Sequence, residues 1–208
     1  MLEVYHFVNP LSGDCLETEK KLATYVEQSN KKVAMQIIPV VTMQSARQTA
    51  MAASNSLHPS LHDLNVVSQT LYQVAVDTKA AQFQGKKAAR EYLMATQQAL
   101  LQGNAYSDEL VMQTVNDLAL DQEMFVEDRN SDLAVQAFRA DQNLAAEMGV
   151  RNFPALVVYD TDRSEYAVRT DDFSDEHLTR LFLSATRQRL REYDGFLHNG
   201  GVTELEEG

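Results

Sequence analysis

The sequence predicts a mixed α/β fold made of two separated pieces, β-α-β at the N-terminal end and β-β-α at the C-terminal end, with an all-helical insertion between them. Three observations carry this expectation. Leu2 to Val8 reads as a hydrophobic strand that passes through Asn9-Pro10-Leu11 straight into a helix start at Ser12-Gly13-Asp14-Cys15. From Gln44 to Met148 little reads as strand and much reads as helix. At Gly149-Val150-Arg151-Asn152-Phe153-Pro154 a glycine closes one of these helices, and the proline opens a strand that continues through Tyr159.

In chain order, Glu17 to Gln28 has Leu22, Tyr25 and Val26 at helical spacing. Val33 to Val41 follows as a second strand, with Val33, Met35 and Ile37 on one face. Pro39 cannot donate to a ladder, which places it at a strand end or on an edge. Helices are then expected over Gln44–Ser56, over the Leu64–Ala75 spacing toward Gln84-Gly85, and over Lys86–Gln102, which Gly103-Asn104 stops. Ser107 caps a further helix containing Leu110, Val111, Val115 and Leu118, and Ser131 caps one that ends at Gly149. Met94, Met112, Met124, Tyr72, Phe83, Phe125 and Phe138 read as core. Asp160 to Ser164 is a polar turn, and Glu165 to Thr170 is a strand completing a hairpin. Ser174 caps a last helix whose Leu178, Leu181, Phe182, Ala185 and Leu190 share one face.

Composition bounds the function. The 208 residues are 44% hydrophobic and 23% charged, and no apolar run approaches the ~20 residues that span a bilayer. A formal charge of −12 argues against a nucleic-acid partner, because phosphate binding needs a clustered positive face. The first residues, Met1-Leu2-Glu3-Val4, do not read as a positively charged leader ahead of an apolar core, so the expected compartment is the cytoplasm, and a single cysteine agrees. With Cys15 alone, no intramolecular disulfide can form.

A cysteine at a helix N-terminus sits where unpaired N–H groups and the helix dipole favour a thiolate. Asp14, however, would oppose it. The same residues also fit a plain helix start: Asp14 with Glu17 matches a capping box, and Ser12 equally serves as a cap. His6 on the first strand reads as a structural or exposed histidine. His58 and His62 lie four apart, but Pro59 interrupts them and nothing completes a metal site.

The Ser12-Gly13-Asp14-Cys15 stretch resembles the Cys-x-x-Cys of DsbA-like thioredoxin-fold proteins, with serine in the first, attacking slot and Cys15 in the second, resolving one. Gly-Val-x-x-x-Pro at 149–154 is similar to that family's cis-proline loop. The resemblance covers nearly the whole chain, and the Phe-Val-Asn-Pro-Leu opening looks most like the cytoplasmic group containing FrnE-type dithiol-disulfide isomerases and the ClpXP adaptors that deliver Spx. It implies a thioredoxin-like domain over 1–43 and 149–195, a helical insertion over 44–148 and a mobile tail over 196–208. It also implies Ser12 and Cys15 as the catalytic positions, a cis Phe153–Pro154 bond, and Asn152, Phe153 and Pro154 as the substrate-facing edge. With the nucleophile slot degenerate, the expected function is a protein-binding adaptor or redox-linked factor, its acidic surface aiding capture of a basic client. The alternatives are a dithiol-disulfide oxidoreductase or isomerase, or a glutathione-dependent enzyme of the kappa type. No metal or cofactor is expected, glutathione excepted, and no membrane partner; the sequence leaves the oligomeric state open.

Overall fold

The computed structural model describes residues 1–162 and 167–183. Strand β1 (Leu2–Val8) leads into α1 (Gly13–Gln28), β2 (Val33–Pro39), α2 (Met43–Ser54), α3 (Leu61–Phe83), α4 (Lys86–Leu101), α5 (Asp108–Asp117), α6 (Gln122–Arg129), α7 (Asp132–Glu147), β3 (Ala155–Asp160), β4 (Val168–Thr170) and α8 (Asp175–Phe182). The sheet order is β2-β1-β3-β4, with β1 parallel to β2 and antiparallel to β3. Pro39 ends β2, an outer strand of the sheet, where a missing N–H costs no ladder bond.

Alternation along β1 divides the core. Leu2 and Val4 join Met35, Leu156 and Val158 under Leu22 of α1 and Leu178 and Phe182 of α8. Phe7 joins Ile38, Ala155 and Val157 on the other face, against Ala145 of α7. The sheet is therefore covered on both sides, as its apolar strands require. Helix α3 packs against α2, α4, α6 and α7 and is the spine of the helical region. Its middle, from Val74 to Ala81, is buried around the whole circumference, including Asp77 and Lys79.

Buried charges there are paired. Arg129 donates from Nε and Nη2 to both carboxylate oxygens of Asp77 at 3.1 and 3.0 Å, and Tyr106 adds a hydroxyl donor. Lys79 pairs with Asp141 of α7 and donates to Gln82 at 2.6 Å. These bonds tie α3 to α6 and α7 and satisfy ions that burial would otherwise make costly.

Several expectations need correction. The segment after Leu118 forms a separate short helix, α6, because Ala119 adopts φ 52° and Asp121 caps a new start by accepting from Met124 N at 3.0 Å. Phe125 and Phe138 are core residues, but Tyr72, Phe83 and Met124 are each at least 40% exposed, and Met94 and Met112 are only partly buried. Helix α1 does begin where Ser12-Gly13-Asp14-Cys15 marks its start, at Gly13. Strand β4 begins at Val168 and Ala167 stands outside it, so it is shorter than the expected Glu165–Thr170; Glu165 itself, Ala185, Leu190 and the tail lie outside the described residues. No helix among the described residues is long and apolar enough to cross a membrane.

Candidate functional site

Ser12 is the N-cap of α1, and its hydroxyl oxygen accepts from the Cys15 amide at 3.4 Å. The cap is therefore Ser12, and the capping box read at Asp14 and Glu17 does not form: Asp14 lies inside the first turn and is exposed. Asn9 holds this turn from behind. Its side-chain oxygen accepts from Leu11 N at 3.1 Å, its carbonyl from Ser12 N at 3.1 Å, and its side-chain NH2 donates to Thr49 of α2 at 3.0 Å. Gln97 of α4 also donates to the Asn9 carbonyl, at 3.3 Å.

Cys15 is fully buried, among Val8, Ile37, Val74, Ala89 and Leu93. Its sulfur accepts from the Asn9 amide at 3.3 Å. Burial pushes the thiol up to about 11; the Asn9 amide and the Ser12 hydroxyl partly oppose this, and the charges of Asp14 and Glu19 add to it. Desolvation outweighs the helix-terminus effect that would make a reactive thiolate here.

One turn further along α1, Glu19 faces the same interior. His6 and Glu19 are both 0% exposed, with Nδ1 and Oε2 2.6 Å apart, and Arg90 Nε lies 3.4 Å from the other Glu19 oxygen. Thr18 Oγ1 lies 3.4 Å from His6 Nε2. His6 is thus half of a buried acid–imidazole pair beneath Cys15. Glu19 is legible in the sequence only as an acid on the Cys15–Leu22 stripe, which demands a buried partner.

The Phe153–Pro154 peptide bond is cis. Phe153 packs against the cluster that contains Cys15, so the α1 start and the proline loop are brought together. The loop is set by a helix stop in which Val150 N bonds to Ala145 O at 2.9 Å and Gly149 N to Ala146 O at 3.0 Å. Gly149 has φ 65°, and a Cβ there would lie 2.6 Å from an Arg169 nitrogen that donates to the carbonyls of Met148 and Gly149. Among the described residues, the backbone groups of Arg151, Asn152 and Phe153 make no hydrogen bond.

Beside this free edge lies a small cleft of about 60 Å³. Thr42, Gln44, Ser45 and Gln48 of α2 form one wall, and Arg151, Asn152 and Phe153 form the other. The α2 wall carries no sequence motif and was not anticipated. Around the site, Met43 is 79% exposed and Leu101 is 52% exposed, the latter lying 3.8 Å from where a Gly13 Cβ would stand. No group of three or more His, Cys, Asp or Glu among the described residues is arranged to hold a metal.

Comparisons with known proteins fit this geometry. The ClpXP adapter protein SpxH of Bacillus subtilis is 26% identical over 187 residues, covering 81% of this chain and 62% of the relative. That of Staphylococcus saprophyticus is 22% identical over 182 residues, covering 85% and 63%. The chain thus spans somewhat under two thirds of the length of these relatives. Among solved structures, a protein described as a candidate protein disulfide isomerase from Nitrosomonas europaea has a TM-score of 0.64 at 16% identity, covering 96% of this chain and 99% of that one. The oxidoreductase DsbA of Xylella fastidiosa has a TM-score of 0.55 at 14% identity, covering 96% and 87%. A family model described as Thioredoxin matches residues 5–180. The chain belongs to the thioredoxin family and carries the DsbA-like form of its fold, with helices between the two halves of the sheet domain.

Proposed function

We propose that this protein holds an extended segment of a client polypeptide at the Asn152-Phe153-Pro154 edge and acts as a cytoplasmic adaptor, without dithiol turnover. The observation that carries this is Cys15: the only cysteine of the chain, fully buried, with a thiol that burial pushes further up from its ordinary value. A protonated, enclosed thiol is neither nucleophile nor leaving group, and a lone thiol has no internal partner to resolve a mixed disulfide. In this reading Ser12-x-x-Cys15 is a degenerate Cys-x-x-Cys motif in which Ser12 caps the helix and Cys15 fills its core.

What remains for function is the edge. The free backbone groups of Arg151 to Phe153 suit pairing with a peptide strand, and the exposed Met43 on α2 and Leu101 near Gly13 offer apolar surface for its side chains. Relatives named ClpXP adapters support a client that is itself a protein. The helical insertion over 44–148 would supply a second contact surface.

The glutathione-dependent alternative rests on Ser12, whose hydroxyl hydrogen stays available to a sulfur anion while its oxygen serves the cap. Calorimetric titration with glutathione separates the readings. No heat of binding is expected. Saturable binding that Ser12→Ala weakens, together with no peptide binding sensitive to Phe153→Asp, would sink the adaptor reading.

A further inference from the structure

We infer that the cleft beside Phe153 selects acidic client segments, peptides in which carboxylates alternate with apolar residues, despite the strongly acidic character of the chain as a whole. This rests on the client-holding reading above and names the chemistry of the client.

The distribution of charge carries it. The chain has 30 acidic residues, yet from Gln28 to His62 there is not one aspartate or glutamate. That stretch includes β2, the whole of α2 and the turn into α3, and so one entire wall of the cleft. The other wall presents Arg151. Arg47 stands on α2 one turn beyond Gln44 and is exposed. Neither arginine pairs with a carboxylate among the described residues, whereas Arg90, Arg129 and Arg180 all do. The remaining lining is uncharged, with amide and hydroxyl side chains that suit a polar backbone.

A ligand lying along the free edge of Arg151 to Phe153 meets Arg151 in the cleft, and Arg47 and the exposed Met43 stand on α2, the helix that forms the facing wall. An extended peptide turns alternate side chains to opposite sides, so one set can reach Arg151 while the other covers Phe153. The net charge of −12 does not reverse this local preference. At physiological ionic strength, charges beyond a Debye length of about 8 Å are largely screened, so Arg151, which lines the cleft, counts for more than carboxylates that do not line it. A basic peptide would place like charge against Arg151. Overall charge pointed to a basic client; the local surface points the other way.

Fluorescence anisotropy tests this with three short labelled peptides in which valine alternates with glutamate, glutamine or lysine. The glutamate peptide is expected to bind at least about tenfold tighter than the lysine peptide, with Arg151→Glu and Arg47→Glu together removing that preference. Lys86→Glu, a control at the start of α4 that lines no part of the cleft, should leave it intact. Added salt should weaken the glutamate peptide more than the glutamine one. Equal binding of all three peptides, abolished by Phe153→Asp, would overturn the acidic preference and leave the client-holding reading standing. Tighter binding of the lysine peptide would overturn it as well. Binding of none of them would count against both.

Discussion

The backbone amide of Asn9 donates to the sulfur of Cys15 at 3.3 Å, across the turn that joins β1 to α1. A thiol held in this way is a core side chain that accepts a hydrogen bond. Asn9 secures the same turn to α2 through Thr49 and to α4 through Gln97, so the α1 start is fixed by neighbours on two sides.

Cys15 should be inert in the native protein. With its thiol pushed from an ordinary 9.0 up to about 11, the thiolate fraction at pH 8 falls about a hundredfold, before enclosure is considered. Alkylation by iodoacetamide, followed by mass spectrometry, should be at least that much slower in the folded chain than in urea.

The same shift predicts a pH dependence of stability. Unfolded chains lose the thiol proton near pH 9 and folded ones near pH 11, so the contribution is complete below about pH 9 and is lost as the pH rises through that interval. Urea midpoints measured from pH 8 to 11 should show wild type losing roughly 2–3 kcal/mol more than Cys15→Ala across it.

Gly149→Ala should destabilise the proline loop through both its left-handed backbone and the approach of Arg169. Gly103 also has a positive φ, of 91°, but nothing lies within 4 Å of its would-be Cβ. Thermal or urea unfolding should therefore find a cost of about 1 kcal/mol for Gly103→Ala and clearly more for Gly149→Ala. Equal costs would mean that Arg169 moves aside freely.

Arg129→Met should cost about 3 kcal/mol, the low end for breaking a buried pair, since the Arg129 side chain retains 18% exposure. The loss comes from leaving Asp77 enclosed with only tyrosine donors. Adding Asp77→Asn should restore part of that stability, because it removes the stranded charge; urea denaturation of the two variants checks both expectations.

The β-α-β and β-β-α ends were legible because strand alternation, caps and turn residues are local. Ser12, Ser107, Ser131 and Ser174 all cap the helices their positions suggest. Tertiary pairing was not legible. Asp77 and Lys79 look like solvent-facing charges on a helix, and only α6 and α7 packing over α3 turns them into buried ions. His6 and Glu19 are similar: each is unremarkable in its own element, and the 2.6 Å contact exists only because α1 folds onto β1. Ser12 and Cys15 could be located, but whether the thiol is exposed depends on α3 and α4, far along the chain.

The most direct test of a client-holding site without thiol chemistry is native affinity capture with wild type, Cys15→Ala and Phe153→Asp, eluted with and without reductant. Wild type and Cys15→Ala are expected to capture the same partner at equal yield, released without reductant, and Phe153→Asp to lose it. A partner recovered only as a reductant-sensitive conjugate that Cys15→Ala abolishes would contradict this expectation.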